Sequence, residues 1–401
     1  MKFFDVANPT PAPGGIVEVA AGLDLVSKNL TVLTLSKDIK LILGGAVTAD
    51  FLYNSARPVA PGTPFLLTPG SAFGFSQDTF DTHARQTALF AAVTGPDIWD
   101  FKTSAVVLAN FYDVSVVEDQ YGFLPLEAFV AMKNDDWRFA AGLQFDVFNP
   151  LLPTVLPFSY LIGSGNSGNA YRGQARAVRY FYPGLDSQIT LQFALSEPVA
   201  TFFSRTFILN EDNGWPNVEG RIAYGYGPKG PGPLAKRPLE VGLSGIIGEL
   251  RNTNISQGVR VVADVWGIGC DFRWEITKRC GFLAEGYVGQ GLGTYGGAIL
   301  STVNPVTFNG IRSAGGFTEF YYYICPEVLH THIGYGIDDP VDRDLGVAQP
   351  LRNQTVYGNI IWEVTSALRL GLEITYRETS YSPLLPDNDG VGIHGQVRYK
   401  F

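Results

Sequence analysis

Gly390–Phe401 reads G-V-G-I-H-G-Q-V-R-Y-K-F. Val391, Ile393, Val397, Tyr399 and Phe401 occupy one parity, and Gly392, His394, Gln396, Arg398 and Lys400 the other. Side chains alternate faces along an extended strand, so this stretch has one apolar face and one polar, largely basic face. The same period recurs upstream. Ile189, Leu191, Phe193 and Leu195 alternate with Gln188, Thr190, Gln192 and Ser196. Leu368, Leu370, Leu372, Ile374 and Tyr376 alternate with Arg369, Gly371, Glu373, Thr375 and Arg377. Trp137, Phe139, Leu143 and Phe145 alternate with Arg138, Gln144 and Asp146.

From Lys40 onward the chain holds about sixteen segments of strand length and alternation. They fall near 40–55, 84–94, 98–112, 123–133, 137–147, 171–181, 187–197 and 217–227. The second half continues near 238–251, 259–275, 280–291, 315–324, 328–337, 353–363, 367–381 and 390–401. Tight turns such as Gly95-Pro96-Asp97, Asn134-Asp135-Asp136, Thr277-Lys278 and Thr365-Ser366 alternate with longer polar loops. The link 228–237 is the one overlong turn. Short turns at one end and long loops at the other are the layout of a transmembrane barrel, whereas a soluble sandwich predicts no such asymmetry. A charge facing lipid at mid-depth costs roughly 2–4 kcal/mol, and the register keeps Arg and Glu on the polar series. Closure also removes the unpaired sheet edge that lipid cannot satisfy. The expected fold is therefore all-β: a transmembrane antiparallel β-barrel of about sixteen strands over residues 38–401, with short periplasmic turns and long extracellular loops. Residues 1–37 read as a lead-in, a plug or a disordered segment, with Ile16–Val26 as a short helix and Leu30–Leu35 as a strand tucked into the lumen.

Composition agrees. No apolar run approaches the length of a spanning helix, and mean hydropathy is only +0.08. Aromatics and glycine are abundant, which suits girdles and turns. The net charge is −9 with no Lys/Arg run, which excludes a nucleic-acid partner. Three cysteines are too few for a disulfide scaffold, although Cys280 and Cys325 fall at the turn ends of nearby strands, where a bridge is geometrically open. Met1–Thr10 shows neither an apolar core nor an A-x-A site, so no signal peptide is visible, although such a barrel has to be exported.

The polar face carries the candidate chemistry. Arg172, Gln174 and Arg176 share one strand face. Arg85 with Thr87, and Glu219 with Arg221, point inward on the same rule, and Arg260 lies near the outer end of the tenth strand. Arg85, Arg172, Gln174, Arg176, Glu219, Arg221 and Arg260 are thus the candidate pore-lining residues. A guanidinium matches a carboxylate with a planar fork and keeps its charge, and rings of Arg bias a pore toward anions. The plainer reading pairs these arginines with Glu127, Asp146, Glu219 or Glu240 as wall braces. Loop 148–170 is oddly apolar, with Phe148, Leu151, Leu156, Phe158 and Leu161, and is expected to fold inward or to cover a subunit contact. Loop 57–82 competes for the constricting role. Glu118-Asp119, Glu211-Asp212 and Asp338-Asp339 make acidic loops and are read as solvated. His83 lies two residues from Asp81 and His394 sits on the last strand, but no G-x-S-x-G or Ser/His/Asp set accompanies them. No catalytic residue is expected, and the chain is not read as an enzyme. His330 and His332 share a face that permits metal ligation, with no third ligand in sequence, so no metal or cofactor is expected.

The closing strand resembles that of a bacterial outer-membrane barrel, and the order of segments resembles the DcaP-like porins. The resemblance is carried by D-I-K-L-I-L-G-G-A-V-T-A-D-F-L-Y from Asp38, F-D-T-H-A-R-Q-T-A-L-F-A-A-V from Phe80 and Y-R-G-Q-A-R-A-V-R-Y from Tyr171. P-N-V-E-G-R-I-A-Y from Pro216 and L-G-L-E-I-T-Y from Leu370 match in kind, and Ala88 stands where those porins carry a second arginine. The likeness implies a homotrimer in the bacterial outer membrane, in contact with its lipid and lipopolysaccharide. It implies passive diffusion of small hydrophilic solutes biased toward small anions such as (di)carboxylates, with Arg85, Arg172, Arg176 and Arg221 as the residues to test. An outer-membrane hydrolase using His83 or His394, and a structural or adhesive surface barrel, are the alternatives.

Overall fold

The computed structural model describes residues 4–5, 29–71, 74–75, 77–113, 120–168, 170–199, 213–229, 237–254 and 259–401. Sixteen antiparallel strands form a closed wall. They are β1 (Lys40–Asn54), β2 in two segments (Thr79–His83 and Ala88–Thr94), β3 (Lys102–Tyr112), β4 (Tyr121–Lys133), β5 (Trp137–Phe145) and β6 (Tyr171–Gly184). There follow β7 (Ser187–Ser196), β8 (Asn217–Tyr226), β9 (Leu239–Asn254), β10 (Val259–Thr277) and β11 (Cys280–Gln290). The wall ends with β12 (Arg312–Cys325), β13 (Leu329–Pro340), β14 (Pro350–Glu363), β15 (Leu368–Tyr381) and β16 (Asn388–Lys400). Each strand pairs with its sequence neighbours, and β16 pairs back onto β1, Ile393 opposite Tyr53 and Tyr399 opposite Val47.

Burial is inverted relative to a soluble protein. In β16 the apolar series Val391, Ile393, Val397 and Tyr399 is exposed, while His394, Gln396, Arg398 and Lys400 are buried. The inversion repeats in β7, where Leu191, Phe193 and Leu195 are exposed, and in β15, where Leu372 and Ile374 are exposed while Arg369, Glu373 and Arg377 are buried. A continuous apolar outer band is a surface for lipid, since a soluble monomer rarely exposes patches of this extent. Trp137, Phe181, Trp274, Trp362 and Tyr399 stand exposed close to the short turns, as an interfacial aromatic girdle does. Links 134–136, 185–186, 278–279 and 326–328 close one rim; links 55–78, 146–170 and 291–311 stand at the other.

Several expectations change in detail. The second strand does not run unbroken: Ala84–Thr87 form a turn closed by Thr87 N–H donating to Ala84 O at 3.0 Å, which carries Arg85 and Gln86 into the barrel. Asp338 and Asp339 belong to β13, and Asp338 is fully buried rather than solvated. Asn29–Thr34 is a strand, but it lies in the wall, pairing Thr31–Thr34 with Leu43–Lys40 on the edge of β1 that β16 leaves free below Ala46. Cys270, Cys280 and Cys325 are all free thiols, so the bridge is not made. The helix expected over Ile16–Val26, the acidic pairs Glu118-Asp119 and Glu211-Asp212, and most of link 228–237 lie outside the described residues.

Candidate pore constriction

A loop inside a barrel must find partners for its backbone N–H groups. Loop 146–170 finds them on inward-facing carboxylates, and one serine hydroxyl, of strands between β8 and β15. Val147 and Phe148 N–H donate to Glu219 of β8, at 2.6 and 3.1 Å. Asn149 N–H donates to Ser244 of β9 at 3.2 Å, and Leu151 N–H to Glu285 of β11 at 2.9 Å. Thr154 N–H donates to Glu319 of β12, and Leu156 N–H to Glu373 of β15 at 2.9 Å. Gln86 and Gln396 then donate to Leu156 O at 3.0 and 3.2 Å, on the far side of the lumen. The loop thus follows the inner wall from β5 round to β16 and β2.

It returns over β14, β13 and β12. Asn353 donates to Gly163 O at 2.7 Å, and Ser164 meets Thr355 at 2.9 Å. Gly165 has φ +100°, and a Cβ there would lie 2.0 Å from Gly316 O, so only glycine seats the loop on β12. The space between loop and wall is filled with apolar side chains. Phe158 stacks on Tyr112 at 4.6 Å between ring centroids, and Phe65 of loop 55–78 and Ile162 join the same cluster. Tyr295 and Ile299 of loop 291–311 are buried as well, the latter's N–H donating to Asp338 at 3.1 Å.

The candidate residues separate under this geometry. Arg172 is fully buried and saturated: it donates to Asp146 at 2.5 and 3.4 Å and to the carbonyls of Glu197, Pro198 and Thr294, and it stacks 3.7 Å from the Tyr295 ring. It clasps three loops and is closed to solute. Glu219 holds the root of loop 146–170 and accepts Tyr295 OH at 3.3 Å. Arg221 pairs with Asp271 at 2.6 Å and Glu240 at 2.9 Å. Arg85 pairs with Asp81 at 2.6 Å, buried beneath Gly62 of loop 55–78. Arg260 is exposed and shares the parity of Val262, Trp266 and Ile268, so it stands on the outer series rather than in the lumen.

Arg176 and Gln174 remain on the inner wall. Arg176 Nε donates to Gln174 Oε1 at 3.0 Å and Nη2 donates to Phe145 O; no carboxylate reaches it within ion-pair distance among the described residues. Gln174 in turn donates to the Gln144 and Phe145 carbonyls at 2.9 and 2.8 Å. Beside them stands Arg138, overlooked as a candidate although its parity already placed it inside. Register sets Ala140 opposite Arg176 and Arg138 opposite Val178, so the guanidiniums enter from diagonal positions. Arg138 donates to Gln144 Oε1 at 3.3 Å. Arg138 Nε, Gln144 Nε2 and Glu127 Oε2 are buried and find no protein partner. Two guanidiniums with one nearby carboxylate form a basic patch on β4–β6, with Arg138 buried and Arg176 half-buried.

The histidines suspected of catalysis share one carboxylate. Asp50 of β1 accepts from His394 Nε2 at 2.8 Å and stands 3.5 Å from His83 Nδ1. His83 Nε2 donates to Gly62 O at 3.0 Å. Among the described residues neither ring is hydrogen-bonded to a Ser, Thr or Cys; both are buried, and the arrangement ties loop 55–78 to the wall. No cluster of three or more His, Cys, Asp or Glu is arranged to hold a metal ion among the described residues.

A closed sixteen-strand wall, apolar outside and narrowed inside by an infolded loop between β5 and β6, is the porin fold. No family model matches the chain, and no curated protein matches it. Among solved structures, the outer membrane channel DcaP of Acinetobacter baumannii matches with a TM-score of 0.69 at 16% identity, over 92% of this chain and 100% of that one. An anion-selective porin from Comamonas acidovorans matches with a TM-score of 0.57 at 11% identity, over 90% and 100% of the two chains. Salmonella typhi OmpF in complex with daunomycin matches with a TM-score of 0.57 at 12% identity, over 92% and 100%. At identities this low the likeness establishes the shared fold alone.

Proposed function

We propose that this chain is a bacterial outer-membrane porin that lets small hydrophilic solutes diffuse passively and favours small anions such as (di)carboxylates. The observation that carries the reading is the inverted wall: exposed leucines and aromatics outside, buried charge inside, and a loop pinned across the lumen. The anion bias rests on Arg138 and Arg176, which keep their charge uncompensated by direct contact. Arg172 and Arg221, neutralised in ion pairs, are braces in this reading. Kinship with the DcaP-like porins and a homotrimer belong to the same proposal. The outer face of β3–β6 supports it: Ala105, Ala141, Ala175 and Ala177 line an apolar groove of about 720 Å³, a shape suited to a neighbouring subunit. The remaining outer band would meet outer-membrane lipid and lipopolysaccharide.

Planar-bilayer recording under a salt gradient tests this. Purified protein should give open-state current with a reversal potential on the anion side. Arg138→Ala with Arg176→Ala should move that potential toward cations, and Arg221→Ala should move it less. An unmoved potential removes the anion bias; no current at all removes the porin reading.

A further inference from the structure

His330 and His332 stand two residues apart on β13, so both rings enter the lumen from one face. Nδ1 of His330 lies 2.8 Å from Nε2 of His332. Nδ1 of His332 lies 2.7 Å from Oε1 of Glu319 on β12. A carboxylate only accepts, so that nitrogen carries the proton of His332, and Nε2 turns a lone pair toward His330. Glu319 is itself fixed, because its Oε2 accepts the Tyr357 hydroxyl at 2.6 Å and the Thr154 N–H. Tyr321 and Tyr323 back the two rings, with centroids 5.9 and 5.4 Å away. His332 is buried and His330 half-buried, so the pair is reached from the His330 side.

We propose that His330 and His332 form a lumenal binding site for a divalent transition-metal cation, Cu²⁺ ahead of Zn²⁺. Imidazole nitrogens suit these ions and not Mg²⁺ or Ca²⁺, and Cu²⁺ leads the affinity order at such donors. A carboxylate behind a ligating histidine fixes the ring and raises its basicity, and Glu319 already stands there. The ion takes the place of the hydrogen bond between the rings. His330 shifts its proton from Nδ1 to Nε2, both rings stay neutral, and the charge of the ion is added to the lumen. Metal–nitrogen bonds of about 2.0–2.1 Å set the two donors roughly 3 Å or slightly more apart, so the rings separate by only a few tenths of an ångström. Water completes the coordination. Two protein ligands make a site for reversible capture of a passing ion rather than a structural metal.

The test is calorimetric titration of Cu²⁺ into tag-free, detergent-folded protein, with frozen-solution electron paramagnetic resonance on the parent chain. One Cu²⁺ per chain should bind, its spectrum showing hyperfine coupling to two imidazole nitrogens. Binding should weaken at least about tenfold in His330→Ala and in His332→Ala, and by roughly 10–100-fold in Glu319→Gln. Mg²⁺ should give no heat. Absence of binding, affinity unchanged in both histidine variants, or a spectrum of oxygen ligands alone would overturn the proposal. The spectrum of the parent decides even where a variant folds poorly.

Discussion

Arg172 shows how one side chain governs the mouth of the barrel. Its guanidinium is wholly buried, and its hydrogen bonds go to Asp146 and to backbone carbonyls of two further loops. Arg172→Ala strands a buried Asp146, a class of change that costs about 3–5 kcal/mol. Arg172→Lys keeps the charge but loses the fork, so it should recover only part of that loss. Chemical unfolding of the detergent-folded barrel, followed by gel migration, should rank the parent above Arg172→Lys above Arg172→Ala. Equal stability of Arg172→Ala and the parent would show that the clasp contributes nothing. At the same scale, parity along β5 and β6 placed Arg138, Gln174 and Arg176 inside correctly. Asp146 and Glu240 were among the partners the sequence offered, and they pair with Arg172 and Arg221; Asp271, the second partner of Arg221, was not, because it reaches across from β10. Arg260 went astray because parity near a strand end gives no fixed anchor for counting.

Loop 146–170 is an element held by a series of carboxylates. Glu285, Glu319 and Glu373 each accept one of its backbone N–H groups. A typical intramolecular hydrogen bond contributes about 0.5–1.5 kcal/mol. Replacing all three by Ala should free the middle of the loop, raising single-channel conductance and its noise, while three Gln replacements, which keep an acceptor oxygen, should change both less. Identical traces for the Ala and parent channels would assign the hold to apolar packing under the loop. A second element, link 341–349, is fixed at the rim by Arg312 Nε donating to Asp344 at 2.6 Å. These hydrogen bonds hold the Asp344 carboxyl below its ordinary value of 3.8. A depressed carboxylate stabilises above its unfolded pKa and loses that contribution as pH falls through the folded one. The protection of the 341–349 amides relative to their intrinsic exchange rate at each pH should therefore be unchanged from neutrality down to about pH 4 and fall below it, and Asp344→Asn should remove the step. The apolar composition of loop 148–170 signalled an inward role. Its path did not follow from sequence, because the acceptors lie on five strands far along the chain.

Across the whole molecule the outer band and the lumen demand opposite chemistry from adjacent residues. Phe193 faces outward and Gln192 inward on β7. Phe193→Arg should cost roughly 2–4 kcal/mol in the folded barrel, whereas Gln192→Arg should fold with near-parent stability. Unfolding titrations in detergent or lipid vesicles check the pair; equal costs would mean that the band does not face lipid. Period-two patterning, turn residues and loop lengths determined the strand number, the strand faces and the closed antiparallel wall, because each is a property of contiguous residues. The meeting of Glu219, Glu285, Glu319 and Glu373 beneath one loop, the sealing of Arg172 and the convergence of His330 with His332 were decided only by closure. Those contacts join side chains whose separation in space is set by the curvature of the sheet, and no local pattern encodes it.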